Sequence, residues 1–225
     1  MVGTDSPHID AHFWLAWAHL EFPRYTDQDL EFKQSSLIFL NYNYKPHEHR
    51  LNLIRHMNAR DLQNFGIITT KLTQIPHALG REIGLGDITV WQQHFLNITS
   101  ETVFRQKPEL IISEKTLKPL LGLRPFIING SPRYYDILES WGIDIFDDIW
   151  PISNMRQPSV SLQSLMDRNH SIICDVIEIL KKENLQLLYQ KLLPRLQANR
   201  RRIQQLIQFE YQRLCVNDIE LQWQF

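Results

Sequence analysis

The stretch that most restricts what this chain can fold into is residues 110–145, LIISEKTLKPLLGLRPFIINGSPRYYDILESWGIDI. It reads as an apolar strand, a helix opened by a charged pair, a second apolar strand ending in Asn-Gly-Ser-Pro, and a second helix leading to a short apolar run. That is one βαβα unit. Such units build parallel sheets whose ligands sit beyond the carboxyl ends of the strands, and both strand ends here carry polar residues that open helices.

The remaining sequence is compatible with one α/β domain and its extensions. Its 225 residues, 43% of them hydrophobic, are enough for a sizeable core. A formal net charge of −1 excludes a global basic field, so nucleic acid is not an expected partner. The two cysteines, Cys174 and Cys215, lie far apart and have no metal-ligand spacing, which argues against a disulfide framework and a zinc site. No apolar run approaches the roughly 20 residues of a membrane span, and the first residues lack the basic-then-apolar pattern of a secretory signal. A soluble, cytoplasmic protein in a reducing compartment is expected. The sequons at Asn97 and Asn129 are then chance matches.

Three regions follow in order. Residues 1–35 hold an aromatic, apolar segment (12–22) suited to a buried helix or a partner surface, followed by a polar connector. Residues 36–158 form the sheet-bearing domain. Its first strand is predicted over 36–41 and an amphipathic helix over 49–62, with Leu51, Ile54 and Leu62 on or near one face. A short strand and a glycine-rich loop (Gly80, Gly84, Gly86) lie within 66–90, and another strand over 95–99. Neither G-x-x-x-x-G-K-[ST] nor G-x-G-x-x-G is present. Residues 159–225 are helical, with one helix over 162–182 and a second over 185–214 in which Pro194 marks a kink or break. These helices cover or extend the domain and offer a second surface for a partner chain or homo-oligomer.

The residues with chemical potential sit at predicted strand-to-helix junctions. Ser113 can cap the helix that follows it, and Glu114 suits the positive end of the helix dipole. Lys115 opposes that dipole and is best tolerated beside an anion. A carboxylate next to an ammonium at a strand end could hold ribose hydroxyls and a phosphate oxygen, or could simply be a charged surface turn. In Asn129-Gly130-Ser131-Pro132, Ser131 reads as cap and Pro132 as first helical residue, and Gly130 either admits close approach or makes a tight turn. His47, His49 and Arg50 open an earlier helix and could meet an anion there, or form a solvated first turn. His47-x-His49 lacks a third ligand at metal spacing, so no metal is expected. Asn199-Arg200-Arg201-Arg202 has no interleaved aromatics and reads as a solvated helix face rather than a nucleic-acid contact.

Taken together, FLNYNYKPHEHRLNLIRHM, SETVF and ISEKTLKPLLGLRPFIINGSPRYYDILESWGIDIFDDIW resemble a group of glycosyltransferase-like proteins of marine phage and bacterial genomes. More distantly they resemble fucosyltransferases and exostosin-type transferases. The resemblance covers residues 37–150, with Ser113-Glu114-Lys115 and the run from Pro125 to Gly130 its most specific parts. It implies a Rossmann-like parallel sheet with helices on both faces, a single half of the GT-B type, plus a C-terminal helical extension. It also implies a nucleotide-sugar donor and no cofactor. Glu114 would hold the ribose, Lys115 the phosphates, and Arg50 the leaving diphosphate, with Ser113, Asn129 and Gly130 completing the donor site. The acceptor is unassigned. Glu101, His47, His49 and Asp148 are the candidate general bases near predicted strand ends, Glu101 and His49 foremost. The alternative is a non-catalytic nucleotide- or sugar-binding or assembly module.

Overall fold

The structure is a computed structural model that describes residues 18, 25–33, 35, 37–43, 45–69, 84–101, 104 and 112–222, with side chains to 213. Apart from Ala18, the aromatic segment 12–22 lies outside the described residues, as does Gly80. In chain order the elements are β1 (Leu37–Tyr42), α1 (Glu48–Ala59), β2 (Gly66–Thr69), α2 (Ile88–Gln93), β3 (His94–Ser100), α3 (Glu114–Leu121), β4 (Phe126–Asn129), α4 (Arg133–Ser140), α5 (Ile152–Arg156), α6 (Leu162–Leu180) and α7 (Leu185–Gln222).

The fold is α/β, a four-stranded parallel sheet of order β2-β1-β3-β4 flanked by helices, with a helical C-terminal region. The chain moves outward from β1 to β2, then returns to place β3 on the other side of β1. Right-handed crossovers in opposite directions put α1 and α3 on opposite faces. Side chains agree with this arrangement. Thr99 on one face donates to the Lys115 carbonyl of α3 at 3.2 Å, whereas Asn129, at the end of β4, meets His170 of α6 at 3.1 Å. β3 is buried along its whole length, as a central parallel strand requires. No described helix is long and apolar enough to cross a membrane.

Several boundaries differ from the sequence reading for physical reasons. Leu110 and Ile111 of the strand expected before α3 lie outside the described residues, Ile112 lies outside any strand, and among the described residues the strand preceding α3 is β3. α1 buries Leu53 and Met57 with His49 and Arg50, while Leu51 is exposed, because the packed stripe is set by α6 and the sheet. Pro194 sits inside α7 without ending it. The basic run on α7 is a solvated face only in part, since Arg201 and Arg202 are exposed but Asn199 and Arg200 are buried. Arg200 is buried, paired with Asp27 and the Tyr25 carbonyl, Asn199 binds the backbone of Asp144 at both N–H and carbonyl, and Arg202 donates to the Trp141 carbonyl at 2.6 Å. Together with Arg195, which grips Asp144 and Asp148, these contacts bind α7 to the domain.

Gly122 ends α3 by close approach rather than by a left-handed turn. A Cβ there would lie 2.4 Å from the Trp91 ring, and the left-handed conformation falls instead on Leu123, at φ 52°. Just beyond, Arg124 is wholly buried. Its guanidinium donates to the carbonyls of Trp91, Leu30 and Leu123 and to the Tyr189 hydroxyl, tying residues 25–33, α2 and α7 together. Burial lowers its pKa to about 10, and the Tyr189 side chain partly offsets this.

Candidate functional site

The order of connection reverses between β1 and β3, and the carboxyl ends of the strands at such a switch point are the position where open parallel sheets bind ligands. Here that end is filled with buried polar side chains. Asn41, Asn43, His49, Arg50, Ser100, Glu101, Ser113, Thr116, Asn129 and His170 are each no more than 5% exposed.

Glu101 follows β3 directly and points at the start of α3. Its carboxylate accepts from the Ser113 N–H at 3.2 Å, the Ser113 hydroxyl at 2.7 Å and the Thr116 hydroxyl at 2.5 Å. Ser113 is itself the N-cap, its hydroxyl oxygen accepting from the Lys115 N–H. The charge thus sits on the positive end of the helix dipole with three donors, which offsets the cost of burying it. A carboxylate engaged in this way anchors α3 and has little freedom to take a proton from an acceptor.

Arg50 performs the matching task for α1. One terminal nitrogen donates to the Lys45 carbonyl at 3.1 Å and the other to the Ser100 carbonyl at 2.8 Å, while its Nε is buried with no partner among the described residues. Burial lowers its pKa, and the charges of Glu101 and Glu114 oppose that shift. His49 sits one residue earlier, with Nε2 2.8 Å from the Glu101 carbonyl. A carbonyl only accepts, so Nε2 carries the hydrogen. Burial holds the His49 pKa at about 4, helped by the charges of Arg50 and His47, so the ring is neutral near pH 7. His47 stacks on it at 5.9 Å and is lowered by burial and then by Arg50, Lys45 and Lys115.

Lys115 and Glu114 form an ion pair with each other, their side chains 11% and 12% exposed. The anion that makes a first-turn lysine tolerable is therefore its own neighbour. Across the sheet end, Asn129 Nδ2 donates to the Ser100 hydroxyl at 3.3 Å, and Asn41 Nδ2 reaches the same oxygen at 3.2 Å. The close approach that Gly130 permits is that of the Tyr134 ring, which a Cβ would meet at 2.9 Å. Burial pushes the Tyr134 phenol far above its ordinary range, with Glu101 adding to the rise and Arg50 opposing it.

Arg50, His49, Glu101, Ser113 and Asn129 thus form one hydrogen-bonded cluster through Ser100 and Glu101, with Glu114, Lys115 and Gly130 adjoining it. Asp148 lies apart, paired with Arg195. The sequence reading passed over Asn41, Asn43, Ser100, Thr116 and Tyr134. The two asparagines had a visible signal, since polar side chains interrupt the run LIFLNYN just where a strand ends. On the α3 face a narrow crevice of about 10 Å³, lined by Tyr42, Asn97, Thr99, Lys115 and Lys118, has room for roughly one water. Comparison with protein-family models, curated proteins and solved structures yields no match in any of the three.

Proposed function

We propose that the chain binds the diphosphate of a nucleotide-activated sugar beyond β1 and β3 and acts as the donor-binding half of a glycosyltransferase. The observation that carries this reading is the gathering of cations at the topological switch point. Lys45, Arg50 and Lys115 gather around His47, whose pKa is lowered by burial and then by their charges, and the nearby acids are a buried helix cap and one partner of an ion pair. A diphosphate arriving there would take Lys115 from Glu114 and leave that carboxylate for ribose hydroxyls. Cations already in place stabilise charge developing on a leaving diphosphate without reorganising.

A second reading has its own support. Among the described residues, Glu101 is committed to α3, and His49, with a pKa of about 4, is a feeble base at neutral pH. A nucleotide-sugar-binding module without turnover fits those two facts. Thermal shift with UDP, GDP, CDP and their sugars tests the binding, since a ligand at 100 times its Kd adds ~2.7 kcal/mol of stability. The expected result is a rise in Tm for one nucleotide that Lys115→Ala abolishes. If no nucleotide moves the wild-type Tm, the donor site is refuted. Release of nucleoside diphosphate from the bound sugar nucleotide then separates transferase from binding module.

A further inference from the structure

His56 of α1 and Asp167 and His170 of α6 converge, one ligand atom of each within 4.8 Å of the other two. We propose that this trio is a divalent-metal site taking Zn²⁺, with two imidazoles and one carboxylate from the protein and an open position facing solvent.

The second partners of the imidazoles support this assignment. His56 Nδ1 lies 2.9 Å from the Asn52 carbonyl, and His170 Nε2 lies 3.1 Å from Asn129 Oδ1. Both partners are oxygen acceptors in the orientations assigned, so each ring spends its N–H on them and keeps a lone pair on the other nitrogen, Nε2 of His56 and Nδ1 of His170. Metal-binding histidines are held in this way by carbonyl or carboxylate oxygens. His170 is completely buried, and its Nδ1 has no partner among the described residues. An orphaned lone pair in such a place is a cost that a metal ion removes. The two rings meet edge to face with centroids 5.2 Å apart.

Asp167 is the exposed member, held through one oxygen by Gln163 at 2.8 Å. Neighbouring ligand atoms around tetrahedral Zn²⁺ are ~3.4 Å apart, so closing the trio from within 4.8 Å draws each pair together by at most about 1.4 Å. The helices are already clamped beside the trio, because Arg60, at the C-cap of α1, pairs with Asp175 and donates to Ser171 of α6 at 3.0 Å. Sequence could not suggest the trio. Asp167-x-x-His170 is an ordinary helical pair, and His56 stands more than 100 residues away.

The experiment uses untagged, chelator-stripped protein and Zn²⁺ alone, by calorimetry and by competition with a chromophoric chelator, with Co²⁺ as a spectroscopic substitute. The expected result is one equivalent bound, a raised Tm, and a Co²⁺ visible spectrum of mixed nitrogen and oxygen ligation. Asp167→Asn is on the surface and leaves folding intact by circular dichroism. Losing even an outer-shell partner costs 10–100-fold in metal affinity, so Asp167→Asn and His56→Ala should each weaken binding by at least about 10-fold. Absence of Zn²⁺ binding by the wild type overturns the proposal. So does binding that both variants retain, and loss only in His47→Ala would put the metal at His47 and His49 instead. No nucleotide enters the measurement, so its outcome is independent of the donor-site reading.

Discussion

Acid should destabilise this protein through His94, and the size of the effect can be worked out. His94 opens β3 with no exposed surface. Its Nδ1 is bonded to the Val90 carbonyl at 2.7 Å, and its Nε2 is buried without a partner among the described residues. Burial, reinforced by the charge of Arg124, lowers its pKa to about 3. In the unfolded chain the ring titrates near its ordinary value of ~6.5, so below that pH the unfolded state takes up a proton that the folded state refuses. Stability is therefore complete above ~6.5 and falls by about 1.4 kcal/mol per pH unit down to the folded pKa. Moving from neutral to about pH 5 costs about 2 kcal/mol from this one ring, a large part of a typical 5–15 kcal/mol total. His94→Gln keeps a donor for Val90 but has no titrating group. It should be less stable than wild type at neutral pH, having lost the ring contact with Trp91 at 5.1 Å. That deficit should shrink by about 2 kcal/mol by about pH 5. Urea unfolding followed by circular dichroism across this range reads the difference, and the other histidines cancel because both proteins carry them. Parallel stability curves for the two proteins would show that His94 is not the proton-refusing group.

Two further substitutions test the buried polar scaffold. Glu101→Gln keeps the shape but turns an amide donor toward the donors of Ser113 and Thr116 and removes charge from the start of α3, so urea unfolding should show a loss of about 2 kcal/mol. An unchanged midpoint would mean that the cap carries no net stability. Arg124→Met leaves the buried carbonyls of Trp91, Leu30 and Leu123 short of a donor and should cost at least ~3 kcal/mol by the same measurement. A loss under about 1 kcal/mol would mean that water replaces the guanidinium.

The parallel sheet was legible because its strands are short apolar runs, LIFL, FLNI and FIIN, ended by polar residues, with helical spacing between them. Ser113 was legible as a cap for a local reason: the hydroxyl reaches the backbone two residues on. What pairs across the sheet was not. Nothing near Arg50 shows that its guanidinium serves the carbonyls of Lys45 and Ser100, and nothing near Asn199 or Arg200 shows that they are anchors rather than a solvated face. Such contacts depend on which strand lies beside which, and the order β2-β1-β3-β4 is set by crossover handedness and packing over long sequence distances. For the same reason Glu101 read as a candidate base when considered by position alone. Its role as a cap depends on residues 12 to 15 positions further along, brought back by the crossover.

The row formed by Asn41, Ser100, Asn129 and His170 bears on how the chain finds its fold. The three apolar runs of β1, β3 and β4 are nearly interchangeable as partners, and parallel pairing is non-local and slow to form. Each run must also stop at one level, since Asn41 bonds the Ile98 carbonyl and Ser100, and Asn129 bonds Ser100. A slip of a single residue would turn these side chains to the opposite face and leave buried amides without partners. The polar row thus works as a proofreading mark, rejecting misaligned sheets that the hydrophobic effect alone would accept.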